Sequence, residues 1–208
     1  MRTSDASTRL ERRPVRPLAG VAAAAVFALL AACQHGGGVT RERLDEKSGV
    51  TVRADAQPLV FARTETRYSR SARDYVYLGP VETNRQGVRE YYVWVGGGST
   101  LDRGYIAPES TVPERVFIDV ADAPMELVLR PWKEREPTLG QARVYGTAVK
   151  LTQELAARVT LDQLRLLSRE PLRSLRVVDH EGNARAYFRW EDGNGWQGFL
   201  AEVGGGAR

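Results

Sequence analysis

Short runs of apolar, aromatic and β-branched residues, separated by turn residues, fill most of the chain after residue 50. Runs of this kind predict β-strands. We predict strands over residues 59–62, 75–78, 88–95, 116–120, 126–129, 144–151, 175–178 and 184–190. The second and third of these strands are separated by polar turn residues and form a hairpin. Gly96, Gly97 and Gly98 are predicted to end its second strand as a flexible turn, and a helix past Thr152 is an open alternative.

Two stretches in the C-terminal third have the spacing of a helix instead. Thr160 and Gln163 stand three residues apart, as in a capping box. Three leucines then share one face, and Pro171 limits the helix. These are Leu161, Leu164 and Leu167.

The second helix is predicted to begin near Asn194. Its apolar residues fall at positions i, i+3, i+4 and i+7, which gives one apolar stripe. They are Trp196, Phe199, Leu200 and Val203, and we expect them to seal the core. The pattern therefore predicts an α+β domain over residues 50–203. It is mainly an antiparallel β-sheet, arranged as a sandwich or roll, with two short amphipathic helices in the C-terminal third.

The N-terminal segment has a different pattern. Five arginines within residues 2–16 precede an apolar run over residues 18–32. This is the layout of a secretory signal peptide, and the run is shorter than the roughly 20 residues of a membrane-spanning helix. It ends at Leu30-Ala31-Ala32-Cys33, which contains the one cysteine of the chain. The segment resembles the lipobox of bacterial lipoproteins; the alternatives are an uncleaved signal anchor and a buried helix with a chance cysteine.

The resemblance implies cleavage before Cys33 and a diacylglycerol thioether on its sulfur. Residues 1–32 would be the signal peptide, and the membrane would be a partner through this lipid. The residue after the cysteine is Gln34 rather than aspartate, which favours the outer membrane, facing the periplasm, over another cell membrane surface. Residues 33–49 are predicted to be the lipidated cysteine and a flexible tether, and residues 204–208 a disordered tail.

Composition excludes some functions. Without residues 1–32, the chain keeps 176 residues with 25 basic and 24 acidic side chains. This balance does not indicate a nucleic-acid partner. After Cys33 no cysteine is left for a disulfide, so the domain depends on its core.

The sequence indicates no catalytic residue, metal site or cofactor. Its two histidines, His35 and His180, lie in the predicted tether and in a predicted turn, without metal-ligand spacing. No nucleophile elbow is present. Asp119, Asp122 and Glu126 do not define an acid–base pair.

Four aromatic residues of the hairpin fall on one face of the sheet by alternation. They are Tyr75, Tyr77, Tyr92 and Trp94. If they are exposed, they form a binding face for a glycan ring or another protein. If they are buried under a second layer, they belong to the core, and burial is the arrangement that we expect.

A loose basic run precedes the hairpin. It consists of Arg63, Arg67, Arg70 and Arg73. Such a run can bind lipid phosphates or other anionic groups of the cell envelope, or it can be solvated surface, which we expect here. We predict a non-catalytic binding or scaffold function with an envelope protein or glycan as partner. A periplasmic enzyme acting on cell-wall or envelope polymers is the alternative.

Overall fold

A computed structural model describes residues 40–46, 48–101, 113–120, 123–135, 143–191 and 195–205. Cys33 and the predicted signal peptide lie outside the described residues.

The described residues form eleven strands of one antiparallel sheet. The strands are β1 (Arg41–Asp45), β2 (Val50–Ala54), β3 (Leu59–Thr64), β4 (Arg73–Arg85), β5 (Val88–Ser99), β6 (Pro113–Val120), β7 (Ala123–Val128), β8 (Arg130–Pro131), β9 (Leu151–Val159), β10 (Ser174–Asp179) and β11 (Ala184–Arg189). Their order in the sheet is β7-β6-β10-β11-β3-β4-β5-β9-β8, with β2 on β4 and β1 on β2. The strand β7 also lies against β9, so the sheet nearly closes into a barrel-like shape.

Three helices occur in the described part of the chain. They are α1 (Trp132–Arg135), α2 (Leu161–Ser168) and α3 (Gln197–Gly205). The capping box of α2 is confirmed: Gln163 N–H donates to Thr160 Oγ1 at 3.1 Å, and Thr160 N–H donates to Gln163 Oε1 at 2.8 Å. None of the described helices has the length and apolar character needed to cross a membrane. The prediction of a mainly antiparallel β domain with two short helices in its C-terminal third is confirmed.

Alternate residues of most strands pack with α2 and α3 in an inner core. The helices contribute Leu164 and Leu167 from α2, and Phe199 and Val203 from α3, with Trp196 just before α3. Leu200 is only partly buried against this core. The two predicted stripes therefore face the sheet, as expected from their spacing.

The other face of the central strands carries a second core. Residues of β2, β4, β5 and β9 pack there with α1 and with the segment 143–150. Its members are Val50, Val52, Ala54, Tyr77, Val81, Tyr92, Trp94, Trp132, Tyr145 and Ala156. The central strands are thus covered on both faces.

The predicted strand over residues 144–151 is wrong, and so is the alternative of a helix past Thr152. Strand β9 begins at Leu151, the last residue of the predicted strand, and runs to Val159. Alanine disfavours strands, but Ala156 and Ala157 are fully buried between the two cores. Close packing on both faces therefore overrides the intrinsic preference of the segment.

The glycine run is part of a strand rather than a turn. Gly96, Gly97 and Gly98 lie within β5 and pair with β9. A Cβ atom on Gly96 would lie 2.5 Å from the Trp94 ring, and one on Gly98 would lie 2.7 Å from Val149. The glycines are needed because the second core lies directly against this end of β5.

The limits predicted for the tether and the tail also need correction. Residues 41–45 form β1, which pairs with β2, and Arg53 bridges to Glu42 across the pair. The strand escaped prediction because its alternating charges face solvent and carry no apolar signal. At the other end, α3 continues through Gly205, and residues 206–208 lie outside the described part.

Candidate functional site

The aromatic face of the hairpin is mostly core. Tyr77, Tyr92 and Trp94 are 2%, 3% and 0% exposed, and only Tyr75 is half-buried. The alternation placed all four residues on one face, but three of them belong to the second core. The four aromatic residues therefore do not form an exposed binding face.

Specific ring contacts hold these residues in place. The Trp94 and Tyr145 ring centroids are 5.0 Å apart, and Tyr92 meets Trp132 edge-on at 5.7 Å. The Tyr145 hydroxyl donates to the Pro80 carbonyl at 2.6 Å. The contacts are those of a packed interior.

Tyr75 instead belongs to an aromatic group at the surface. Its ring meets Trp190 edge-on, with centroids 6.1 Å apart. Arg73 places its guanidinium over the Trp190 ring, 4.7 Å from the centroid. Trp190 remains 47% exposed and its neighbour Phe188 is 64% exposed. Tyr75 of the predicted aromatic face and Arg73 of the predicted basic run therefore both contact Trp190, which belongs to neither prediction.

The four arginines of the basic run lie in the loop between β3 and β4 and at the strand ends beside it. Arg63 is the second-last residue of β3 and places Nε 3.3 Å from Glu65 Oε1, whereas Arg73 begins β4. Arg67 and Arg70 are exposed in the loop between the two strands, where neither pairs with a carboxylate among the described residues. Arg63 and Arg73 are thus the two that lie beside the surface aromatics.

The ladder between β3 and β11 is short. It contains two residue pairs, Phe188 with Ala62 and Arg189 with Phe61, and it is extended by a hydrogen bond from Trp190 N–H to the Val60 carbonyl at 2.9 Å. Beyond Ala62 the strands part. An open cavity of about 730 Å³ lies there, lined by residues 62–64, 184–186 and 188–190. We call it the seam groove.

Backbone groups of both strands point into the seam groove. In an antiparallel sheet, successive residues direct their N–H and C=O groups alternately to the two neighbours. Arg189 N–H binds the Arg173 carbonyl, towards β10, and Glu65 N–H binds the Ala72 carbonyl, on the β4 side. The backbone N–H and C=O groups of Ala184 and Ala186 therefore point towards β3, and those of Thr64 point towards β11. At these positions the two strands no longer pair.

The seam groove is lined by cationic side chains, although Arg63 also pairs with Glu65 and Arg185 with Asp179, two acids outside the lining. Among its described lining residues are three arginines, Arg63, Arg185 and Arg189, and no carboxylate. Arg189 also packs over the Phe61 ring, 5.5 Å from the centroid. The volume falls within the range of small-ligand and peptide pockets, and the exposed surface favours an anionic occupant.

The nearby buried acids already have partners. Arg185 Nη2 lies 3.1 Å from Asp179 Oδ2. Burial alone would raise the pKa of Asp179, but hydrogen bonds from Asn183 and Arg185 lower it below its ordinary value. Asp74 accepts a hydrogen bond from Ser99 Oγ at 2.7 Å. Burial, and then the charge of Asp74, raise the pKa of Tyr187 behind the groove.

A second cavity of about 410 Å³ lies beside the C-terminal end of α2. It is lined by Leu59, residues 167–173, Arg189 and residues 195–197. Arg189 lines both cavities, so the two lie on either side of its side chain.

Two carboxyl groups with raised pKa lie elsewhere. Burial raises the pKa of Asp55, and burial also raises the pKa of Glu82 despite the nearby Arg89 and Arg53. The Glu82 carboxylate is buried, with Oε1 3.7 Å from Arg89 Nε. Neither acid lines either of the two cavities.

Sequence reasoning missed Phe188, Trp190, Arg185 and Arg189. The signal was present, because residues 184–190 alternate small or aromatic residues with arginine and tyrosine. Within the described residues, no group of three or more His, Cys, Asp and Glu side chains is arranged to hold a metal ion. Comparison with protein-family models, curated proteins and solved structures found no match.

Proposed function

We propose that this chain is a lipid-anchored envelope protein with a non-catalytic binding role at the periplasmic face of the outer membrane. The signal at residues 30–33 supports the anchor. The observation that carries the binding role is the seam groove, whose lining combines the 64% exposed Phe188 with three arginines and no carboxylate. A large exposed aromatic side chain in a concave, charged surface is typical of recognition sites.

The groove chemistry supports binding over catalysis. General acid–base catalysis needs a titratable pair within reach of one substrate. The lining supplies arginines, a threonine hydroxyl and apolar groups. For the alternative, an enzyme acting on envelope polymers, the two carboxyl groups with raised pKa would be candidates, but Asp55 and Glu82 line neither cavity.

For the architecture, we propose a roll in preference to a sandwich. Hydrogen-bonded pairings join nine of the described strands in one path, and β2, with β1 beside it, branches from β4. A sandwich would divide them between two separate sheets. One end of this path, β7, contacts β9, the strand next to the other end, and this supports a rolled sheet.

The test compares two surface variants in cells. Phe188→Ser removes the exposed ring of the groove, and Val88→Ser removes a side chain that is 67% exposed at the distant β4–β5 turn. After crosslinking in intact cells, wild type and Val88→Ser should recover the same envelope component, and Phe188→Ser should recover several-fold less. Equal recovery by all three proteins would reject the proposed function, because the groove carries it.

A further inference from the structure

We infer that the seam groove binds an extended acidic polypeptide segment, which adds to the sheet as a short strand between β11 and β3. The inference rests on the proposed binding function and names its ligand class. It depends on three features of the groove: its backbone edges, the alternation of its side chains and its charge.

The backbone edges provide the first argument. Ala184 and Ala186 on one side, and Thr64 on the other, direct N–H and C=O groups into the gap where the β3–β11 ladder has ended. Such edges are the template for strand addition, in which main-chain hydrogen bonds supply much of the affinity. An extended peptide satisfies these groups in a way that a saccharide does not.

The side chains provide the second argument. On the outer face of the seam lie Ala62, Ala186 and Phe188, which leave room for small apolar side chains beside one large ring. By strand alternation, Arg63, Arg185 and Arg189 lie on the inner face, and the pairs that Arg63 and Arg185 make with Glu65 and Asp179 leave further guanidinium donors. Because the side chains of an added strand alternate between these faces, the segment should alternate apolar and acidic residues.

The aromatic contacts limit the ring surface on which a glycan could stack. Sugar binding by stacking needs a free ring face. The Trp190 ring already has the Arg73 guanidinium over one face and packs with the Tyr75 ring. Phe188 is then the one strongly exposed ring of the groove, and it lies next to the open backbone edges.

The test is a selection with a library of random displayed dodecapeptides on the detergent-extracted, full-length protein. Ala186→Pro is the counter-selection variant. The Ala186 N–H faces the groove, so proline removes one groove donor without breaking a hydrogen bond to β10. Val88→Ser, at the distant β4–β5 turn, leaves the groove unchanged and serves as the control. Thermal unfolding checks that each variant is folded.

Wild type and Val88→Ser should enrich peptides with Asp or Glu at alternate positions. A synthetic copy of the best peptide should bind about tenfold more weakly to Ala186→Pro and to Arg63→Gln. The same peptide with N-methylated alternate amides should lose saturable binding. The N-methylated peptide changes only the ligand, so this measurement still tests the inference if Ala186→Pro does not fold.

The inference is overturned if wild type enriches no peptide over Ala186→Pro, if the enriched peptides are basic, or if N-methylation leaves affinity unchanged. Saturable binding of oligogalacturonate that depends on Phe188, without any peptide binding, would assign the groove to an anionic glycan. That result would reject the peptide inference but leave the proposed binding function intact. Loss of the cellular crosslink difference between Phe188→Ser and Val88→Ser would instead reject the proposed function.

Discussion

The guanidinium carbon of Arg73 lies 4.7 Å from the centroid of the Trp190 ring. Arg73 begins β4 and Trp190 directly follows β11, and these strands lie on opposite sides of β3. The Arg73–Trp190 contact therefore crosses β3 near the short ladder between β3 and β11.

The first prediction concerns this contact. A cation–π pair at a partly exposed site contributes about 0.5–1 kcal/mol. In a double-mutant cycle with Arg73→Gln and Trp190→Leu, the coupling in the free energy of unfolding should fall in that range. Urea denaturation measures it. Strictly additive effects of the two substitutions would show that the pair does not stabilise the seam.

The second prediction concerns the second core. A Cβ atom on Gly79 would lie 2.4 Å from the buried Tyr145 ring, whereas one on Gly146 would meet nothing within 4 Å. Gly79→Ala should lower the free energy of unfolding by about 1–3 kcal/mol, as overpacking does. Gly146→Ala is the matched control and should change it by less than about 0.5 kcal/mol. Similar denaturation midpoints for the two variants would contradict the packing described for Tyr145.

The third prediction concerns pH. Burial raises the pKa of Asp55, partly offset by backbone hydrogen bonds from Ala56 and Gln57. The folded protein therefore holds this proton more tightly than the unfolded chain. The free energy of unfolding should fall as the pH rises from the unfolded value, about 3.9, through the higher folded value.

Asp55→Asn should remove this part of the pH dependence and make the protein more stable than wild type at neutral pH. It keeps an oxygen that can accept from the Ala56 N–H, as Asp55 Oδ1 does at 2.7 Å. Denaturation between about pH 4 and 7 measures the slope. Asp162→Asn, in an exposed side chain, is the control. A wild-type slope retained in Asp55→Asn would assign the effect to another group.

The fourth prediction concerns the anchor. Cys33 is the one cysteine of the chain, so a lipidated thiol can only be there. Metabolic labelling with an alkyne palmitate should mark wild type, and Cys33→Ser should carry no label and should not mature by the lipoprotein route. Equal labelling of both proteins would reject the lipobox interpretation.

Local signals predicted local structure well. The capping residues Thr160 and Gln163 and the stripe from Trp196 to Val203 define helices through neighbours on the same segment. The hairpin alternation also placed Tyr77 and Trp94 on one face correctly. Their burial depends on β2, α1 and the segment 143–150, which are distant in sequence and carry no periodic signal towards them.

The seam groove could not be predicted for a similar reason. It exists because β11 neighbours β3, a pairing between segments more than a hundred residues apart. The alternation in residues 184–190 predicts a strand with two different faces, but not the neighbour from which that strand diverges. The residue pattern of one strand does not show where its hydrogen-bonded pairing with another strand ends.

The position of β1 sets the length of the linker that would join the domain to a lipid anchor. If Cys33 carries the lipid, the seven residues 34–40 separate it from the first strand, and they reach at most roughly 25 Å. A domain of this size has a radius of gyration of about 15 Å, so it would remain close to the bilayer. A partner held by the same membrane would then meet the groove at a high effective concentration, and a modest intrinsic affinity would be enough to keep it occupied.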